Sequence, residues 1–269
     1  MKFTTQAPLA MTGAGLGLAA ALALTALPAA AQKSGSARQD LANPESAFVT
    51  GSIGGQWQSV TKRTERGHLI GNPEAESRMI EFISYTCPHC ASFTDQGEPG
   101  LELVLIGPGK MNLEVRSVVR NPLDLAVTML VGCGDASGFK DRHRLFMNTQ
   151  SQWLKKAQQS PASQQAIWAR ADGKARINMA NALGLIDMLA KAGHSRSALS
   201  TCLLDEKAAL ALIENGEADR SEFKFPGTPS FVLDGELIKD VHEWKTLYPV
   251  LSDHFAVAPV KQQGVPPRN

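Results

Sequence analysis

Four cysteines among 269 residues are far too few to build a fold from disulfides, so the core must hold itself together by apolar burial. They are also misplaced for structural zinc, which needs four ligands. Only Cys87 and Cys90 are close in sequence, and Cys133 and Cys202 stand alone. A surplus of charge is missing too. The chain carries 27 basic and 26 acidic residues, and without a leader containing Lys2 it is formally neutral. Neither nucleic-acid phosphates nor an anionic membrane surface would find the basic face they require.

No charge occurs from Phe3 to Gln32, a run rich in Ala and Leu that ends in Leu27-Pro28-Ala29-Ala30-Ala31. It reads as a secretory signal peptide over residues 1–31. Ala29 and Ala31 fit the cleavage pattern, and Pro28 with Gly13, Gly15 and Gly17 opposes a stable spanning helix. The run is long enough that an uncleaved membrane anchor is the alternative, and either form exposes the rest to an oxidising compartment. Residues 32–55, rich in Ser, Gly, Ala and Gln, read as a flexible linker, and residues 256–269 as a disordered tail. What lies between is ample for one domain with a large insertion.

The chain is organised around Phe82-Ile83-Ser84-Tyr85-Thr86-Cys87-Pro88-His89-Cys90. An apolar strand-like run ends in two cysteines, and Pro88 suits the first position of a helix, where its missing N–H would be unpaired anyway. Cys87 would then cap a helix whose dipole and unpaired N–H groups favour a thiolate, and His89 can add charge or a hydrogen bond. Cys90, one turn later, would be partly buried and placed to close a disulfide or resolve a mixed one. A purely structural bridge is a poor alternative, because so short a loop restrains the unfolded chain little.

Met79 to Tyr85 reads as a buried strand interrupted by Glu81. That acid either moves protons below the cysteines or is salt-bridged at an edge, and the two readings stay open. Upstream, Gln56–Lys62 reads as a short strand and His68 as a satisfied surface residue. After Cys90 the helix should kink at Gly97-Glu98-Pro99-Gly100 and resume with Leu101, Leu103, Val104 and Leu105 buried. Leu113 to Val119 alternates as a strand and completes a β-α-β unit.

Residues 123 to about 222 form a helical insertion in which Trp153 and Trp168 are core residues. Cys133 and Cys202 both fall in it. Pairing them would close a loop of about 70 residues and restrain the unfolded chain by about 4 kcal/mol; two free buried thiols are the alternative. Phe225 to Ile238 then reads as a turn, a strand opened by Pro229, a tight Asp-Gly hairpin and a second strand, and Val241 to Phe255 as a closing helix.

A strand leading into Cys-Pro-His-Cys, a helical block, then Gly-Thr-Pro before a hairpin and final helix resembles the DsbA-like branch of the thioredoxin superfamily over residues 56–255. The resemblance implies an α/β thioredoxin fold with a helical domain inserted between the β-α-β half and the C-terminal β-β-α half. It implies that Cys87 is the substrate-exposed nucleophile in a motif with Pro88, that Cys90 is the buried resolving thiol, and that His89 stabilises the reduced form. Glu81 would be the buried proton-transfer acid. Pro229 would be a cis proline facing the disulfide, with the Thr228 backbone pairing with substrate. Some DsbA-like proteins similarly carry a cysteine pair in the helical domain, as Cys133 and Cys202 would be here.

The activity implied is that of a periplasmic thiol:disulfide oxidoreductase introducing disulfides into reduced or unfolded exported proteins. It would be a monomer without cofactor, metal or nucleic acid, recharged by a membrane quinone-linked, DsbB-like thiol oxidase. Thr228 before the proline also occurs in isomerases, so a reductase or isomerase kept reduced by a membrane donor is the rival. A thioredoxin-fold binding or holdase module, with incidental cysteines, is the rival of another class.

Overall fold

The computed structural model describes residues 56–256. The expected signal peptide, the linker and the tail beyond Ala256 lie outside the described residues. A short 3₁₀ turn over Gln56–Ser59 leads into β1 (Thr61–Arg63) and β2 (His68–Ile70). The strand expected at Gln56–Lys62 is thus mostly a turn, closed by the Val60 amide donating to the Trp57 carbonyl. β3 (Ser77–Ile83) follows, then α1 (Pro88–Gln96), α2 (Glu98–Leu101), a single π turn over Glu102–Ile106 and β4 (Met111–Ser117). The π turn overturns one expectation: Leu103 is 79% and Val104 56% exposed, and Leu101, Leu105 and Ile106 face the core. The wider turn puts Leu105 and Ile106 on the inner face with Leu101 and leaves Leu103 and Val104 outside.

The insertion comprises α3 (Pro122–Gly132), α4 (Phe139–Asn148), α5 (Gln150–Gln158), α6 (Ala162–Trp168), α7 (Gly173–Leu183), α8 (Leu185–Lys191), α9 (Arg196–Leu204) and α10 (Glu206–Phe223). Side-chain oxygens of Asn121, Asp172, Ser195 and Asp205 accept amides at the starts of α3, α7, α9 and α10, satisfying donors that a helix start leaves unpaired. Trp153 and Trp168 are buried within it. The chain returns through β5 (Ser230–Leu233), β6 (Glu236–Ile238) and α11 (Trp244–Ala256), so the closing helix starts three residues later than its apolar spacing suggested. Asp234 and Gly235, both at positive φ, form the two-residue hairpin loop, the geometry that matches strand twist.

The six strands lie in the order β1-β2-β4-β3-β5-β6, with β3 and β4 parallel and every other pair antiparallel. Side chains alternate across central β3. Phe82 faces Val118, Phe225 and Val232 on one side, whereas Met79 and Ile83 join the main core with Cys90 and Phe93 of α1. Glu81 sits between Met79 and Ile83, so the same alternation turns it toward α1. This is the expected thioredoxin-type fold, with the helical insertion between its β-α-β and β-β-α halves.

Buried charge and a covalent bond fasten the insertion. Asp219 of α10, 1% exposed, receives Arg66 at 2.9 Å and Arg116 of β4 at 2.8 Å. Cys133, just after α3, is disulfide-bonded to Cys202 of α9. Replacing both by serine should lower the unfolding free energy by about 4 kcal/mol in the chain-entropy limit, read as a lower urea midpoint. His68 is buried, contrary to the surface position expected of it. Its ring stacks on Phe139 with centroids 3.9 Å apart, and burial, helped by Arg63 and Arg142, lowers its pKa to about 3 and keeps it neutral.

Candidate active site

Cys87 is the N-cap of α1, with extended backbone and Pro88 in the first turn. Its thiol donates to the Thr228 carbonyl at 3.1 Å. As a thiolate it has better partners. The Cys90 thiol is the strongest, burial opposes, and the Thr228 hydroxyl with the amides of Cys90 and His89 adds to the effect; the balance lowers the Cys87 pKa to about 4. The buried Thr228 hydroxyl oxygen has no conventional hydrogen-bond partner, which leaves it available to the sulfur. The peptide bond between Thr228 and Pro229 is cis.

Two roles implied by the resemblance take a more specific form here. Cys87 is not open to solvent: it keeps 2% of its surface, because the Thr228 segment closes over it. His89 acts on the sulfur through its backbone amide, and its imidazole is exposed, with no hydrogen bond or ion pair among the described residues.

Cys90 is wholly buried, and its pKa stands well above the ordinary thiol value. Burial is the main cause, followed by the hydrogen bond and charge of Cys87, with the Glu81 charge adding to it. Glu81 is 0% exposed and neither carboxyl oxygen has a hydrogen-bond partner among the described residues. Burial, then the charge of Glu98, raises its pKa well above the ordinary carboxylate value, which favours the protonated form. Glu81 is therefore buried and not salt-bridged at an edge among the described residues.

Several site residues escaped the sequence because they act from distant helices. Asp124, in the first turn of α3, is fully buried. It accepts the Ser84 hydroxyl at 2.6 Å, the Tyr85 amide at 2.8 Å and the Arg120 amide at 3.1 Å. Burial outweighs these bonds and lifts its pKa to about 6. From α5, Gln150 donates to the carbonyls of Tyr85 at 2.8 Å and Cys87 at 2.9 Å. Two insertion helices therefore hold the loop before the cysteines.

Behind that loop, His143 of α4 donates from Nε2 to Glu98 at 2.8 Å, and its Nδ1 lies 2.9 Å from the Tyr85 hydroxyl. Burial pushes the Glu98 pKa up, but His143, Arg144 and Thr94 outweigh it and leave the group below its ordinary value. Finally, His242 donates from Nδ1 to the Pro229 carbonyl at 2.8 Å. For Glu98, a lone acid amid Gly97, Pro99 and Gly100 was the available signal; for Asp124, Gln150, His143 and His242 the sequence carried none. Among the described residues no group of three or more His, Cys, Asp or Glu is arranged to hold a metal ion.

Comparisons with known proteins agree with this geometry. The family model described as thioredoxin matches residues 63–253. A putative protein-disulfide oxidoreductase of Rickettsia typhi is 28% identical over 168 residues, covering 62% of this chain and 54% of that protein; the chain thus spans about half the length of the curated relatives it matches. The crystal structure of a protein-disulfide isomerase from Novosphingobium aromaticivorans is 35% identical, with a TM-score of 0.68, over 70% of this chain and 97% of that one. That of Wolbachia pipientis α-DsbA1, at 19% identity and a TM-score of 0.56, covers 70% and 90% and shares the fold.

Proposed function

The chain belongs to the thioredoxin family, and we propose that it is a thiol:disulfide oxidoreductase of the periplasm that donates its Cys87–Cys90 disulfide to reduced, exported proteins. The observation that carries the direction is the Cys87 pKa of about 4. Oxidation of a client begins when a client thiolate attacks the Cys87 sulfur, breaking the Cys87–Cys90 bond and forming a mixed disulfide. The electron pair goes to Cys90, whose buried thiolate is unfavourable. Glu81, which burial pushes toward its protonated form, can supply the proton. A second client thiolate then attacks the client sulfur and expels Cys87, which departs as a stable thiolate.

Magnitudes decide between this direction and its reverse. At pH 7 a thiol of pKa 4 is fully ionised, about thirtyfold more than a free cysteine of pKa ~8.5. Its intrinsic nucleophilicity falls by about a hundredfold for a Brønsted coefficient of ~0.4–0.5. Cys87 is thus the poorer attacker on client disulfides and the better leaving group.

The leader-like run ending at Ala31 supports export, and a membrane quinone-linked thiol oxidase would restore the disulfide. A second reading, an isomerase, is favoured by the name of the Novosphingobium protein and by Thr228 before Pro229. The deciding experiment mixes the oxidised protein with a reduced, unfolded secretory protein rich in cysteine. Loss of two client thiols per molecule within seconds to minutes is expected; a protein that leaves those thiols untouched and, when reduced, only rearranges mispaired disulfides would be the isomerase.

A further inference from the structure

A cavity of about 380 Å³ lies between the β1–β2 turn and β4 on one side and α3 and α10 of the insertion on the other. Cys87, Cys90, Thr228 and Pro229 take no part in its wall, so it is separate from the exchange site. The wall is largely apolar, from Val115, Met129, Phe139 and Leu212, and includes the Cys133–Cys202 disulfide. Two polar side chains interrupt it. His68 and Thr128 are 6% and 5% exposed, and neither His68 Nε2 nor the Thr128 hydroxyl oxygen has a hydrogen-bond partner among the described residues. A buried donor or acceptor left unpaired is costly, and native chains keep few of them. Close packing likewise leaves few voids larger than a water molecule. Here both costs fall on one spot whose walls are braced against collapse. Besides the disulfide, Arg63 donates to the carbonyls of Gly132 at 2.6 Å and Gly134 at 3.2 Å, and Arg66 reaches Asp219 at 2.9 Å.

We propose that this cavity is a binding site for a small uncharged amphiphile, an apolar body of about 15 heavy atoms that carries a hydroxyl group. The site stands independently of the disulfide exchange at Cys87 and Cys90. Its size sets the size of the occupant: an apolar cavity of about 150 Å³ takes the six carbons of benzene, and this one has about two and a half times that volume. The two unpaired groups set the polar part. A neutral imidazole nitrogen donates or accepts according to its tautomer, and a threonine hydroxyl does both, so a ligand hydroxyl, which also does both, suits either. Charge of either sign is disfavoured, because apolar walls would strip it of water. Glu65 and Asp205 on the exposed rim oppose an anion, and Arg63 and Arg142, whose charges help keep His68 neutral, oppose a cation.

Equilibrium dialysis of the whole chain against 4-phenylphenol, biphenyl, biphenyl-4-carboxylate and 4-phenylbenzylamine tests the class. One molecule of the phenol per chain is expected, with a Kd at least about tenfold lower than that of either charged analogue. Thr128→Val keeps the shape of the side chain and removes its hydroxyl. It should weaken the phenol about fivefold and leave biphenyl unchanged. The same variant should raise the urea midpoint of the free protein, because a buried unpaired hydroxyl is gone. Ala211 lies on the rim at an exposed position of α10, so Ala211→Trp covers the entrance without disturbing the core and should abolish binding. The site is overturned by the absence of saturable phenol binding, by charged analogues that bind as tightly, or by binding that survives Ala211→Trp. A phenol affinity untouched by Thr128→Val, or a midpoint that this variant lowers, overturns it as well, since either marks a hydroxyl already satisfied within the fold.

Discussion

Serine at position 87 abolishes transfer of disulfides to reduced clients, a loss of at least about ten-thousandfold. The hydroxyl cannot form the mixed disulfide, and Cys90, fully buried and held protonated, cannot take over. Serine at position 90 has a different signature: the mixed disulfide with Cys87 still forms when a preformed client disulfide is offered, and persists because no resolving thiol remains. Mass spectrometry of the trapped species reads the second effect, and recovery of client enzyme activity reads the first. A Cys87→Ser protein that still supports client maturation would instead mark a binding module with incidental cysteines.

The second large effect is thermodynamic. A reduction potential of about −180 mV or higher is expected for the Cys87–Cys90 couple, against about −270 mV for thioredoxin. With a folded pKa of about 4 and an unfolded value of ~8.5, the thiolate stabilises the folded, reduced protein fully above about pH 8.5 and by about 4 kcal/mol at pH 7. The contribution is lost as pH falls through 4. At ~30 mV for each 1.4 kcal/mol, 4 kcal/mol corresponds to about 90 mV. The disulfide of the oxidised form works the other way, but its loop is so short that chain entropy contributes only about 2 kcal/mol. The reduced protein should therefore be the more stable by about 2 kcal/mol at pH 7, and the order should reverse between about pH 5 and 6. Urea unfolding of both forms across that range checks the sign, and equilibration with a glutathione buffer, with Cys133 and Cys202 replaced, gives the potential. A value near that of thioredoxin would remove the oxidase and leave a reductase.

The linear order of residues settled those parts of the site that lie within one β-α unit. The apolar run Met79–Tyr85 marked a buried strand, and Pro88 after Cys87 placed that sulfur at a helix start. Both follow from local backbone geometry, which a short stretch of sequence carries by itself. The hairpin at Asp234-Gly235 and the helical character of the insertion were legible for the same reason.

The covered state of Cys87, the anchoring of its loop by Asp124 and Gln150, and the buried His143–Glu98 pair belong to tertiary structure alone. Each joins residues 39 or more positions apart, on elements whose spacing reports which face is apolar and says nothing of which polar group meets which. Burial then changes the chemistry of what it brings together. The same type of side chain is pushed toward its protonated form at Glu81, where no hydrogen bond among the described residues reaches it, and toward its ionised form at Glu98, where His143 and Arg144 do; one thiol is acidic at Cys87 and its neighbour is not at Cys90. Desolvation, partner charge and hydrogen bonding set those differences, and none of the three exists until the chain has folded.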